Sequence, residues 1–170
     1  ASYGSESFDV VFSQKSGGSV SGQFDVEFEG TYLNGYYYGE DYEEGADLYL
    51  LHISDKPMNN ASQLYSNATY YRIDAYGPLA KTSGIVPIPD GTYTYDPNDT
   101  YAQWTFTAEW SGHWVTDANA HRDAILKFEE GTLDVEGNKI TLTAKINGEV
   151  HNVVFEGENA LLDCQNDVVV

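Results

Sequence analysis

The sequence predicts an all-β fold, an antiparallel two-sheet β-sandwich with a C-terminal meander; a lipocalin-like β-barrel is the alternative. Three observations carry this. Strand-forming residues abound, with 14 tyrosines and 7 phenylalanines in 170 residues. Glycine or Asn-Gly recurs roughly every 8 to 12 residues, the spacing of turns between short strands. No long segment has a helical period. "DKPMNNASQLYSN" and "TDANAHRDA" have room for a helical turn each, which leaves the class unchanged.

In chain order, the opening "ASYGSES" is small and polar, and residues 1–6 read as a short tether behind a removed leader. Strand candidates follow: "SFDVVFSQ", "SGQFDVEFEG", "ADLYLLHIS", "TYYRIDAYG", "GTYTYD" and "YAQWTFTAEW". Before "ADLYLLHIS" stands "NGYYYGEDYEEGAD", residues 34 to 47. On an extended chain Tyr36 and Tyr38 share one face and Tyr37 takes the other, while Gly39 and Gly45 bracket a solvated acidic turn. In "YAQWTFTAEW", Trp104, Phe106, Ala108 and Trp110 alternate with Gln103, Thr105, Thr107 and Glu109, so the even set, with Trp104 and Trp110, is expected in the core.

The last third fixes its own register. Asn147-Gly148 suits a two-residue hairpin turn, whose central positions need φ > 0. That turn sets Ile146 opposite Glu149, Ala144 opposite His151, Leu142 opposite Val153, Ile140 opposite Phe155 and Lys139 opposite Glu156. A turn at Gly137-Asn138 pairs Val135 with Ile140 and Leu133 with Leu142. A turn at Glu130-Gly131 would pair Phe128 with Leu133 and Leu126 with Val135. Together they predict one apolar face, while Thr141, Thr143, Lys145 and Asn152 face water. A one-residue slip would reverse a whole strand. Continuing through Glu158-Asn159 adds Leu162 and Cys164 to the apolar face and makes a four- or five-stranded meander. That face needs a second layer. No linker or compositional break divides residues 1–170, which read as one domain burying roughly 70% of its unfolded surface.

Charge narrows the function. The chain has 27 acidic and 8 basic residues, for a formal charge of −19. Such a surface repels phosphate backbones and anionic lipid, which excludes nucleic acid as a partner. No apolar run approaches the ~20 residues of a membrane span. The single cysteine, Cys164, excludes an intrachain disulfide and reads as a buried apolar side chain. Asn-x-Ser/Thr triplets start at Asn60, Asn67 and Asn98.

"IVPIPDGTYTYD" and "ILKFEEGTLDVEGNKITLTAKINGEVHNVVFEG", with "YGEDYEEGADLYLLHISD" before them, carry a family likeness. The Ile-Pro-x-Gly-x-Tyr turn and the G-T-L-x-V…I-T-L-T…N-G…V-x-F-x-G run resemble uncharacterised secreted lipoproteins of Gram-negative gut bacteria. The resemblance covers about residues 30 to 157. It implies an exported β-rich domain at the cell surface or in the periplasm, lipid-anchored on its precursor, and it implies no reaction.

The candidate sites are few. Exposed aromatic rings stack on sugar faces while nearby carboxylates and amides bond hydroxyls, so Trp114, Tyr37 and Tyr42 are candidate glycan contacts. His113, Asp117, His121 and Asp123 are of the types zinc accepts, though their spacing matches no compact ligand template. Neither "EDYEE" nor "DPNDTYAQ" has the glycine offset of a calcium loop. No G-x-S-x-G, H-E-x-x-H, phosphate-binding glycine loop or Cys-x-x-Cys is present, and no cofactor is expected. The leading expectation is therefore non-catalytic binding of a glycan or a surface protein. The rival is a polysaccharide hydrolase working through a carboxylate pair.

Overall fold

A computed structural model describes residues 23–58 and 64–165. The tether expected over residues 1–6, the strand candidate "SFDVVFSQ" and the triplet at Asn60 lie outside the described residues. The strands are β1 (Val26–Gly30), β2 (Tyr32–Gly39), β3 (Asp47–Ser54), β4 (Thr69–Gly77), β5 (Ile85–Val86), β6 (Gly91–Asp96), β7 (Thr105–Thr107), β8 (Gly112–Val115), β9 (Phe128–Glu136), β10 (Lys139–Ile146), β11 (Glu149–Glu156) and β12 (Leu161–Asp163). No helix occurs among the described residues, and none is long and apolar enough to cross a membrane.

The strands share one mixed sheet, ordered β1-β11-β10-β9-β6-β7-β4-β3-β2-β12-β5, with β8 beside β4. It curls into a half-barrel. The all-β expectation holds, but the pairing is not purely antiparallel. β1 with β11, β6 with β7 and β12 with β2 run parallel. β1 with β11 and β12 with β2 join strands distant in the chain, and β6 and β7, though consecutive, are linked by residues 97–104 rather than by a tight hairpin, so no short turn imposes an antiparallel arrangement.

The meander holds over β9, β10 and β11. Asn147 and Gly148 both adopt positive φ, at 51° and 82°, and Gly137 has φ 62°. The expected partners all form: Ala144 with His151, Leu142 with Val153, Ile140 with Phe155, Val135 with Ile140 and Leu133 with Leu142. Glu130-Gly131 is not a turn. Both residues lie inside β9, with Gly131 opposite Ala144 and a bulge near Ile146 that brings Phe128 opposite it. Gly131 is glycine because of crowding: a Cβ there would lie 2.7 Å from the Thr143 carbonyl oxygen. Phe128 is buried as expected, whereas Leu126 is exposed and bridges to His113. The extension to Leu162 and Cys164 also fails. Buried Asn159 turns the chain away from β11, its amide bonded to Ile88 and to the Gly137 carbonyl. β12 then pairs with β2 and β5, burying Leu161 and exposing Leu162.

The concave side holds one apolar core. Leu133, Val135, Ile140, Leu142, Val153 and Phe155 meet Tyr37, Tyr49, Leu51, Ile53, Tyr71, Ile73 and Phe106 there. Fully burying a Leu, Ile or Phe side chain is worth about 1.5–3 kcal/mol. β1 and β2 are two halves of one bent strand: only Thr31 separates them, and its N–H donates to the Ser54 carbonyl at 2.9 Å. The first half pairs with β11 and the second with β3.

The alternation expected for Trp104 and Trp110 is broken. Trp104 has φ 71° and β7 is only three residues long, so Phe106 and Thr107 are buried while both tryptophans are exposed. Trp104 instead lies over Gly91 and tilts against Tyr93.

Candidate functional site

Strict alternation in β2, β3 and β4 sends odd-numbered residues to the core and even-numbered ones to the opposite, outer face. Register then builds rows across that face. Asn34, His52 and Arg72 form one, and Tyr36, Leu50 and Asp74 the next. Tyr70 stands opposite Trp114 of β8. Directly opposed side chains in such rows sit about 5 Å apart.

Trp114 is the floor of this region. It is 3% exposed and stacks on Tyr70, with ring centroids 5.6 Å apart and Met58 and Ala68 beside them. The Arg72 guanidinium lies 5.3 Å from the indole centroid and the Arg122 guanidinium 5.6 Å from it. These are the chain's only arginines. β4 presents Arg72; Arg122 arrives on the loop after β8, held by the Thr116–Arg122 bridge. The Nε of Arg72 donates to the Trp110 carbonyl at 2.6 Å. The only ion pairs among the described residues are His121–Asp117 and His151–Glu149, so neither arginine has a carboxylate partner there. The indole Nε1–H of Trp114 is buried with no acceptor.

Two buried titratable groups adjoin the arginines. His52 sits edge-on to Trp114 and Tyr36, and burial, with the Arg72 charge beside it, holds its pKa down at about 4. Asp74 is pushed up to about 6 by burial, although Thr107 donates a 2.9 Å hydrogen bond to it and Arg72 draws it down. Arg72 is lowered by burial, with Asp74 supporting its charge and Arg122 opposing it.

Aromatic rings continue along the face. Tyr38, half-buried, meets the exposed Tyr42 at 5.5 Å, and Tyr76 and Tyr101 meet at 5.1 Å. Trp110, 51% exposed, stands beside Arg72. The meander's outer face differs, carrying Thr132, Asp134, Thr141, Thr143, Lys145 and Asn152.

Of the three glycan candidates, Tyr42 alone is exposed, at 60%. Tyr37 is a core residue whose hydroxyl donates to Asp47 at 2.5 Å, so it offers a sugar no face. Trp114 is not an exposed loop ring but a strand residue beneath two arginines. The metal candidates divide. His113 is buried against Tyr71, 4.2 Å between centroids, on the core side. Asp117 is bonded by the Asn119 and His121 N–H groups, and Asp123 caps Ala124. Among the described residues no group of three or more His, Cys, Asp or Glu is placed to hold a metal ion.

Arg72, Arg122, His52, Asp74, Tyr36 and Trp110 escaped the reading by motif. One signal was available: two arginines among 27 acids, one on a strand with tyrosines as neighbours. The chain matches no protein-family model, no curated protein and no solved structure.

Proposed function

We propose that the chain is a non-catalytic binding domain that seats a saccharide on the outer face of β2, β3 and β4. One observation carries this. In a strongly acidic chain the outer face of β9 to β11 is polar, while this one offers the half-buried Tyr36 and Tyr38, the exposed Trp110 and the two arginines. Aromatic rings stack on the apolar faces of sugars, and fixed donors beside them read the hydroxyls. Trp110, Tyr36 and Tyr42 are the stacking residues of this reading, and Arg72 and Asn34 supply donors. Location in the envelope or outside the cell, on a precursor carrying a lipid anchor, is the setting the family likeness suggests. The face-to-face meeting of β1 and β11 with β4, through Phe28, His151 and Tyr71, supports reading the curled sheet as sandwich-like around a filled centre.

Catalysis has one observation in its favour, the Asp74 carboxyl raised to about 6. A glycoside hydrolase needs a second carboxylate across the bond. Asp99, whose charge acts on Asp74, has its oxygens taken up by the N–H groups of Ala108 and Glu109. Binding is the better reading.

A glycan array followed by titration of intrinsic tryptophan fluorescence tests it. A saccharide that shifts the emission, with the shift lost in Trp110→Ala and Tyr36→Ala, is the expected result. A flat response across the array sinks the proposal.

A further inference from the structure

We infer that the saccharide carries an oxyanion, a carboxylate or sulfate, gripped between Arg72 and Arg122 above Trp114; this rests on the saccharide reading of the same face. Three features converge on it.

The chain's only two guanidiniums lie 5.3 and 5.6 Å from the centroid of one indole, close enough for the charge of Arg122 to act on Arg72. Like charges brought together repel, so an arrangement with no anion between them is costly unless carboxylates compensate. None pairs with either arginine among the described residues, in a chain with 27 acids to choose from. Asp74 supports the Arg72 charge only from outside ion-pair distance, and Asp123, next to Arg122, spends an oxygen on the Ala124 N–H.

A guanidinium is a planar fork, the shape that binds a carboxylate or sulfate through paired N–H donors. With its Nε committed to the Trp110 carbonyl, Arg72 is fixed in orientation. Arg122 is exposed and lies on a loop, so it is the arm that closes over the anion.

Net charge sets the ligand's character. At physiological ionic strength fields decay over about 8 Å, so the arginine pair governs only its immediate surroundings. A densely charged polyanion would meet the remaining acidic surface of a −19 chain. The ligand is therefore a mostly neutral saccharide with an isolated acidic group.

The whole protein, titrated calorimetrically, decides the matter. The probes are a neutral xylo-oligosaccharide, the same oligosaccharide bearing one glucuronate, a monosulfated counterpart, and inorganic sulfate alone. Expected is at least tenfold tighter binding of the glucuronate- or sulfate-bearing chain than of the neutral one, with that preference abolished by Arg122→Gln while the unfolding midpoint stays put. Equal affinity for neutral and acidic chains, or a preference that survives Arg122→Gln, overturns the oxyanion inference and leaves the saccharide reading standing. Inorganic sulfate binding as tightly as the acidic sugars overturns the saccharide half. No binding by any probe, combined with a flat array, removes both.

Discussion

Asp74 shows how a side chain's surroundings can set its chemistry against its own stability. Its carboxyl is buried on the outer face of β4, and burial raises it from 3.8 to about 6. The folded chain thus holds this proton more tightly than the unfolded chain. Its contribution is favourable below about 3.8 and is lost as pH rises through about 6. Asp74→Asn keeps an acceptor for Thr107 and removes the charge. Denaturant unfolding at pH 8 should find the variant more stable than the parent by about 2–3 kcal/mol, with the gain gone at pH 3.5. A variant weaker than the parent at pH 8 would show that Asp74 is held as a needed anion. At this scale the sequence was least legible. Trp114 and Tyr37 looked like surface rings because the even or odd face of a strand acquires meaning only once its covering layer is known. Arg122 covers Trp114 from a loop no periodicity describes, and the Asp47 carboxylate that Tyr37 bonds lies across a bulge.

The elements were read best where turn chemistry is strict. Asn147-Gly148 and Gly137 take the positive φ their hairpins need, and every side-chain pair predicted from those two turns forms. Glu130-Gly131 misled for the opposite reason. A glycine kept for close approach in mid-strand looks, in one dimension, like a glycine kept for a turn. Substitution separates the two. Gly131→Ala drives a methyl against the Thr143 carbonyl and should cost about 1–3 kcal/mol, read from the denaturant midpoint. At Gly148 an added Cβ meets nothing within 4 Å, so Gly148→Ala should cost only about 1 kcal/mol, from its φ of 82°. Gly131→Ala proving as mild as Gly148→Ala would mean that β9 breaks where the sequence suggested. The parallel pairing of β1 with β11 lay beyond such reasoning, because nothing local links residue 26 to residue 151.

For the molecule as a whole, acid is the informative stress. His52 stays neutral down to about 4 in the fold against 6.5 unfolded, and burial lowers His113 and His151 in the same direction. The unfolded chain takes up these protons first. Stability that is complete above about 6.5 therefore drains as pH falls through about 4, by about 3 kcal/mol for His52. Asp74 works the other way over a similar interval, so the net fall is smaller. Chemical denaturation at pH 7.5 and pH 4.5 should show a smaller loss for His52→Asn than for the parent; parallel losses would acquit the imidazole. The bent strand, finally, sets an order of events at birth. When residues 26–39 leave the ribosome, β2 soon meets β3 as a neighbour, but β1 must wait for β11, more than a hundred residues later. Until that late strand emerges, one half of an otherwise paired ribbon has an unclaimed edge. Such long-range closure slows folding and leaves a nascent chain open to wrong partners. Until residues 149–156 are available, the edge of β1 that β11 will cover is the part of the folding chain most open to a wrong strand.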